Sequence, residues 1–327
     1  MKRVILDMDP GVDDALAIIL AMLSPELKVE AITTVSGNVH VDLCTRNVLR
    51  ILEVLRPEAT PIIAGGEAGP LVATRPSLDA SDIHGQDGLG DLNRFADNDG
   101  ITKRYPEPSL YPISSDHAVD VILSLISDNP HEVTLISTGP LTNTARAIIQ
   151  DPERMRKVKE IIIMGGAFNV PGNVTAVAEF NIFADPFAAD VVVNSGLPIT
   201  FVGLDVTRQV RLQEFHVRRE IAPLNTQLSQ FICDITSIYM DSHGEKDGIA
   251  GCYLHDPLAV GVAIDPSLVE TEDLRIQVET QGRITMGMTV AYLRSVRRRD
   301  SIPNVRVCTD VDADRFMTLF LDTIKGS

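Results

Sequence analysis

The chain has no tryptophan, few aromatics (5%) and only four cysteines in 327 residues, and its 29 Lys and Arg are outnumbered by 45 Asp and Glu. The formal charge of −16 sets up a field that repels nucleic-acid backbones and anionic membrane surfaces, so neither is expected as a partner and small neutral or cationic ligands fit better. Cys44, Cys233, Cys252 and Cys308 lie far apart with no CxxC pair. That spacing argues against a zinc site or a disulfide framework and for reduced thiols in the cytoplasm. No apolar run reaches the roughly 18 residues of a membrane span. The stretch from Val4 to Leu6 is too short for the apolar region of an export signal. Internal repeats, low-complexity tracts and linkers are missing as well, so one domain over 1–327 is expected. What is there, 44% hydrophobic residues, is ample for a sizeable globular core.

Short aliphatic stretches at 4–6, 29–35, 61–65, 133–138, 160–166 and 198–204 predict buried strands. Most alternate with helical stretches at 12–23, 41–55, 116–128, 141–150 and 186–195. This rhythm predicts an α/β fold with a mostly parallel central sheet and helices on both faces. The first helix is apolar nearly all round from Ala15 to Leu23. It is expected to be buried, its acidic first turn at the carboxyl edge of the sheet, where ligands bind in such folds. From 66 to 114 the rhythm gives way to Gly, Pro, Asp and Asn, an interval too long for a plain connection and expected to be an active-site flap. Residues 213–250 read as helical, RIQVET and ITMGMTVAYL as strand-like, and 312–325 as a final helix. The run Arg297, Arg298, Arg299 reads as a solvated loop.

The stretch VILDMDPGVDDALA, 4–17, sets four carboxylates, Asp7, Asp9, Asp13 and Asp14, directly after a buried-looking strand. Like charges this close resist joint ionisation unless a cation lies between them or some hold protons. Asp13 and Asp14 alone are explained by the dipole of the helix they begin, but Asp7 and Asp9 are not. Together the four can surround a cation, and an oxygen-only cluster suits Ca²⁺ or Mg²⁺. Two more strand ends offer oxygens: Thr138 in STGPLTN and Asp256 in LHDPLAV. Asp256 before Pro257 also reads as an ordinary N-cap and N1 pair. Between a strand and a helix, Asn169, Asn173, Glu179 and Asn181 supply polar groups able to recognise hydroxyls. His84 lies in the flap and His255 at a helix mouth. His40, His117, His131, His216 and His243 are expected to be surface or structural.

These residues fall into ordered blocks: DMDPGVDDA at 7–15, TTVSGN ending at Asn38, HGQDGLG from His84, STGPLTN from Ser137, MGGAF from Met164, AEFNIFADP from Ala178 and LHDP from Leu254. In that order, over residues 4 to about 290, the chain resembles the inosine-uridine preferring nucleoside hydrolases. The first block followed by AEFN and HDP is the specific part. The resemblance implies an open α/β fold and a Ca²⁺-dependent enzyme that splits the N-glycosidic bond of ribonucleosides, working as a homodimer or homotetramer. It implies Asp9, Asp14, Asp256 and the Thr138 carbonyl as metal ligands, with Asp9 also the base for the attacking water. Asp13, Asn38, Asn173, Glu179 and Asn181 are implied on the ribose, and His84 and His255 beside the base, His255 as the group that helps it leave. The stretch YMDSHGEKDGIAGCY lacks the aromatic that relatives often carry there, unless Tyr239 or Tyr253 takes its place. TMGMTVAY has Ala291-Tyr292 in place of an expected Val-Asp pair.

Two other readings use the same residues. A haloacid-dehalogenase-like phosphatase also begins with Asp-x-Asp after its first strand and uses Mg²⁺, but it carries Thr or Val where this chain has Pro10-Gly11. A calcium-dependent nucleoside-binding protein would keep the ligands without turnover. Asp9 and His255, present together, favour an enzyme.

Overall fold

The structure, a computed structural model, describes residues 1–96, 102–248, 250–292 and 302–326; Arg297, Arg298 and Arg299 lie outside the described residues. The strands in chain order are β1 (Lys2–Met8), β2 (Leu27–Thr34), β3 (Ile62–Gly65), β4 (Val133–Ser137), β5 (Glu160–Met164), β6 (Ile199–Val202), β7 (Arg211–Gln213), β8 (Gly251–Tyr253), β9 (Val269–Val278), β10 (Thr289–Tyr292) and β11 (Val305–Val311). Among the described residues nine of them make one sheet in the order β10-β9-β11-β6-β5-β4-β1-β2-β3. From β11 through β6 to β3 every neighbouring pair is parallel. Only the far edge, where β9 meets β10 and β11, is antiparallel.

The strands are aliphatic on both faces because both faces are covered. Val4, Leu6 and Met8 of β1, Ile136 of β4, Ile162 of β5 and Val202 of β6 enter one core with the helices Val12–Leu23, His255–Ile264 and Ala313–Lys325. The alternate residues Ile5, Leu135, Ile161, Ile163 and Phe201 enter a second core with Ala118–Asp128, Thr142–Gln150 and Pro186–Val193. Side chains point to opposite faces at successive strand positions, so a continuous apolar run feeds two cores at once. As expected from its apolar circumference, the helix Val12–Leu23 is buried from Val12 to Ala21.

The chain winds outward in one direction from β1 through β2 to β3, and in the other from β4 through β5 to β6. The reversal lies between β1 and β4, and the crevice above the carboxyl ends of these two strands is the topological switch point. Asp7 sits in register with Thr33 on one side and Ser137 on the other. The residues that follow β1, β2 and β4 therefore meet there.

Several boundaries differ from the sequence reading for local reasons. The helix expected from 116 begins at Ala118, because the His117 side chain accepts the amide of Val119 at 3.3 Å and caps it. His40 caps Val41–Leu55 in the same way. The interval 213–250 is not continuously helical: Gln213 belongs to β7, short helical turns cover 214–224, and Asn225 turns the chain at φ 53° before Thr226 caps the helix Gln227–Asp247. Among the described residues of ITMGMTVAYL, only Thr289–Tyr292 is strand. The flap interval carries one short helix, Ser81–His84, and one 3-10 turn, Leu92–Arg94, with residues 97–101 outside the described ones.

Candidate active site

Above the carboxyl ends of the strands opens a cavity of about 530 Å³. Asp13, Asn38, Thr138, Glu179, Asn181 and Asp256 line its lower part; His84, Tyr239, His243, Tyr253 and His255 give it a wall of rings.

Its floor is acidic. Asp13, Asp14 and Asp256 bring carboxylate oxygens within 4.8 Å of one another, all three buried, in a grouping able to hold a metal ion. Asp9 stands beside them. Its Oδ2 accepts the amide of Asn38 at 2.7 Å, while its Oδ1 and the Oδ1 of Asp13 are buried with no hydrogen-bond partner among the described residues. Burial, reinforced by the neighbouring carboxylates Asp14 and Asp13, pushes the Asp9 carboxyl well above the ordinary range. Asp256 is raised by burial and by Asp13, Asp14 and Asp9. Asp13 is pushed up to about 7 by burial and then by Asp14. Four carboxyls that cannot all ionise in an apolar cradle, two with oxygens left over, fit a hard divalent cation. The backbone is shaped to this cluster: a Cβ on Gly37 would stand 2.0 Å from Asp9 Oδ2.

Asp7 is set apart from this cluster. Its Oδ1 accepts from Thr33 Oγ1 at 2.8 Å and Asn143 Nδ2 at 2.8 Å, and its Oδ2 from Thr144 Oγ1 at 3.4 Å. Burial raises it to about 6 against these bonds. Asn143 also donates to the Thr34 carbonyl and accepts the Glu67 amide, so one side chain ties β1, β2 and the start of the flap together. Asn143→Ala is expected to destabilise the protein by about 2–3 kcal/mol, because it strips a buried carboxylate and a buried carbonyl of donors. Urea unfolding measures this, and a change below about 0.5 kcal/mol, the range of ordinary surface substitutions, would show the network to be dispensable.

Asp14 Oδ2 accepts the Gly11 amide at 3.0 Å and Asn38 Nδ2 at 3.1 Å, and its Oδ1 accepts Thr138 Oγ1 at 2.8 Å. The Thr138 carbonyl accepts Asn181 Nδ2 at 2.5 Å. Glu179 caps its helix: Oε1 accepts the Asn181 amide at 2.9 Å, and Oε2 those of Gly166 at 3.0 Å and Ile182 at 3.2 Å. A carboxylate has about four lone-pair positions, so Glu179 keeps capacity for a hydroxyl. Asn173 reaches the cavity from an exposed loop, its Oδ1 holding the Phe180 amide at 2.9 Å. Asn169, read together with it in the sequence, is exposed and is not among the lining residues. Asp256 is not the cap it resembled: Leu254 occupies that position and Asp256 lies inside the first turn.

On the ring wall, His84 Nδ1 accepts the Val12 amide at 3.0 Å, which leaves the ring proton on Nε2. His84 stacks on Tyr239 at 4.9 Å, Tyr239 meets His243 at 4.5 Å, His243 meets Tyr253 at 5.4 Å, and Tyr253 meets His255 at 5.1 Å. Tyr239 and Tyr253 thus both stand in the cavity wall. His243, expected to be surface or structural, is buried and part of the same wall, its Nδ1 2.9 Å from the Tyr239 carbonyl one turn earlier. The signal was present as Tyr239 and His243 spaced four apart on one helix face. His255 Nδ1 lies 2.7 Å from Thr207 Oγ1. Burial, and after it His243, Arg208 and His84, push the His255 imidazole down to about 3, so it is neutral near pH 7. Thr207 and Arg208, the latter lining the cavity, went unnoticed in the sequence because a Thr-Arg pair after a strand carries no signal of its own.

Residues 4–318 match the family described as inosine-uridine preferring nucleoside hydrolase. Over 325 residues the chain is 39% identical to the pyrimidine-specific ribonucleoside hydrolase RihA of Salmonella arizonae, covering 98% of each. It is 37% identical to the inosine-uridine preferring nucleoside hydrolase of Crithidia fasciculata, covering 99% of this chain and 98% of that one. Among solved structures, the purine-preferring ribonucleoside hydrolase from Gardnerella vaginalis superposes with a TM-score of 0.89 at 35% identity, covering 99% and 98% of the two chains. With the match running through every block that forms the cavity floor, the chain belongs to the inosine-uridine preferring nucleoside hydrolase family and is an enzyme of nucleoside hydrolysis rather than a phosphatase.

Proposed function

We propose that the enzyme cleaves the N-glycosidic bond of ribonucleosides with water, releasing ribose and free base, and that Ca²⁺ is the ion on its acidic floor. The observation that carries this is the pairing of buried, partnerless carboxylate oxygens on the floor with a wall of rings above. Asp9, Asp14, Asp256 and the Thr138 carbonyl would hold the ion. All are oxygen donors, the chemistry of a hard cation. Bound there, it supplies positive charge that lets the carboxylates ionise together, makes water more acidic and anchors sugar hydroxyls.

Asp9 takes the proton of the attacking water: its free Oδ1 suits a general base. Asp13, Asn38, Asn173, Glu179 and Asn181 hold the ribose. The transition state is oxocarbenium-like, with negative charge building on the departing base. His255 and His84 face that base, and Tyr239, His243 and Tyr253 complete its slot. His255 is neutral at rest, so it acts through a ring N–H. As negative charge accumulates on the base, this N–H stabilises it through a hydrogen bond, and the proton that completes the free base is drawn from water.

A reducing-sugar assay across inosine, adenosine, guanosine, uridine and cytidine, with Ca²⁺ present and after chelation, tests the reading; hydrolysis of none of the five would refute it. The same reading takes the protein as one catalytic unit over 1–327, cytoplasmic, and a homodimer or homotetramer. Its cysteines are free, and no helix among the described residues is long and apolar enough to cross a membrane. Light scattering would detect a monomer.

His255→Ala is expected to lower kcat for natural nucleosides by about 10², the low end for lost acid catalysis. p-Nitrophenyl riboside, whose leaving group needs no proton, should be nearly spared. Equal loss on both substrates would show that His255 positions the site instead of activating the base.

A further inference from the structure

The turn after β6 holds both ends of the cavity at once. Two of its side chains, Asp205 and Arg208, grip the loop on one side of the cavity, and a third, Thr207, meets His255 on the other. Asp205 Oδ2 accepts the Phe168 amide at 2.9 Å and its Oδ1 the Asn169 amide at 2.8 Å. Arg208 donates from Nη1 to the Pro171 carbonyl and from Nη2 to the Gly172 carbonyl, both at 2.8 Å. The loop so gripped carries Asn173 into the cavity. On the other side the fully buried Thr207 hydroxyl lies 2.7 Å from His255 Nδ1.

The backbone makes this junction rigid. Leu204 N donates to the Gly166 carbonyl at 2.9 Å, and Gly203 packs so closely on Phe168 that a Cβ would stand 2.7 Å from its ring. The chain then runs directly into β7, which pairs antiparallel with β8, while Leu254 N donates to the Val210 carbonyl at 3.2 Å. These bonds hold the segment leading to His255 against the segment that carries Thr207. Arg211 covers the Tyr253 ring at 5.3 Å.

We propose that the turn Asp205–Arg208 is a bracket that keeps the leaving-group side and the sugar side of the cavity in register. Thr207 is the positioning residue for His255, and Arg208 is the positioning residue for the loop bearing Asn173. The Thr207 hydroxyl donates to Nδ1, so the ring proton of His255 resides on Nε2, the nitrogen left for substrate. Arg208 spans two successive carbonyls with its planar fork, which the point charge of a lysine does not reproduce. This assignment rests on the proposed roles of His255 and Asn173.

The two arms predict different kinetic signatures. Thr207→Val keeps shape but loses the hydroxyl, and is expected to lower kcat for uridine about 10- to 100-fold, as lost orienting partners do, with p-nitrophenyl riboside nearly unaffected. Thr207→Ser should restore most of the loss. The double variant Thr207→Val/His255→Ala should be no slower than His255→Ala alone. Arg208→Met is expected to raise KM for both substrates about tenfold, with little change in kcat, and Arg208→Lys should fall between. Equal loss on both substrates in Thr207→Val, a double variant slower than His255→Ala, or an unchanged KM in Arg208→Met would overturn the bracket. If His255→Ala leaves uridine turnover intact while Arg208→Met still raises KM, the base-side reading fails and the Arg208 arm stands.

Discussion

Asp256→Asn and Asp9→Asn should each cut nucleoside turnover by about 10³-fold or more. The estimate follows from several kcal/mol of charge stabilisation at a metal site and about 1.4 kcal/mol per tenfold in rate. Either change removes an oxygen anion from a floor where burial raises Asp9, Asp13, Asp14 and Asp256, and repulsion between carboxylates raises Asp9, Asp13 and Asp256 further. The two variants should behave differently from a general folding defect. With metal removed, neutralising one member relieves like-charge repulsion, so the chelated Asp256→Asn protein should melt no lower than the chelated wild type. With Ca²⁺ added, the wild type should gain thermal stability through ligand linkage and the variant little. Turnover, metal content by elemental analysis and the two melting curves together decide the matter. Normal turnover by verified metal-free wild type would make the cluster structural and the mechanism wrong.

What the sequence disclosed follows from how local each signal is. VILDMDPGVDDALA combines an aliphatic run, a Pro-Gly turn and a first-turn pair of acids, so strand, helix start and carboxylate cluster are all readable within one block. The parallel sheet was legible for the same reason: β1, β4 and β5 are apolar at consecutive positions because each feeds two cores. Asp256 is the contrary case. By local rules it is a helix cap, and its meeting with Asp13 and Asp14 depends on the helix His255–Ile264 packing against Val12–Leu23, which no periodicity near residue 256 reveals. His243 and Asn169 show the same limit. Their burial or exposure is decided by how the flap helix Ser81–His84 packs against Gln227–Asp247 and by the hairpin-like course of residues 169–178, not by the residues beside them in sequence. Asp7 is the clearest division of labour: its spacing from Asp9 suggested one joint cluster, yet its donors, Thr33 from β2 and Asn143 and Thr144 from the helix Thr142–Gln150, turn it into a structural anchor.

Ribonucleosides should exceed 2′-deoxynucleosides in kcat/KM by roughly 10⁴ to 10⁵, since a site built to bond a hydroxyl rejects the analogue that lacks it by such factors. Asp13 is the residue on which this turns. It lines the cavity, is buried, and its Oδ1 has no partner among the described residues. His84 Nδ1 stands 3.9 Å from it and is already the acceptor for Val12 N. On the proposed reading a 2′ hydroxyl satisfies that oxygen, and the same hydroxyl contacts the cation on the floor. Deleting it leaves a buried carboxylate and the ion under-supplied together. The loss belongs to the sugar, so it should be the same whether the leaving group is uracil or p-nitrophenol, in contrast to the substrate-selective effect expected of His255→Ala. Asp13→Asn should shrink the discrimination between uridine and deoxyuridine, because the contact is weakened for the one and was never made by the other. Comparable kcat/KM for uridine and deoxyuridine in the wild type would remove Asp13 from the ribose and leave it a member of the metal cluster alone.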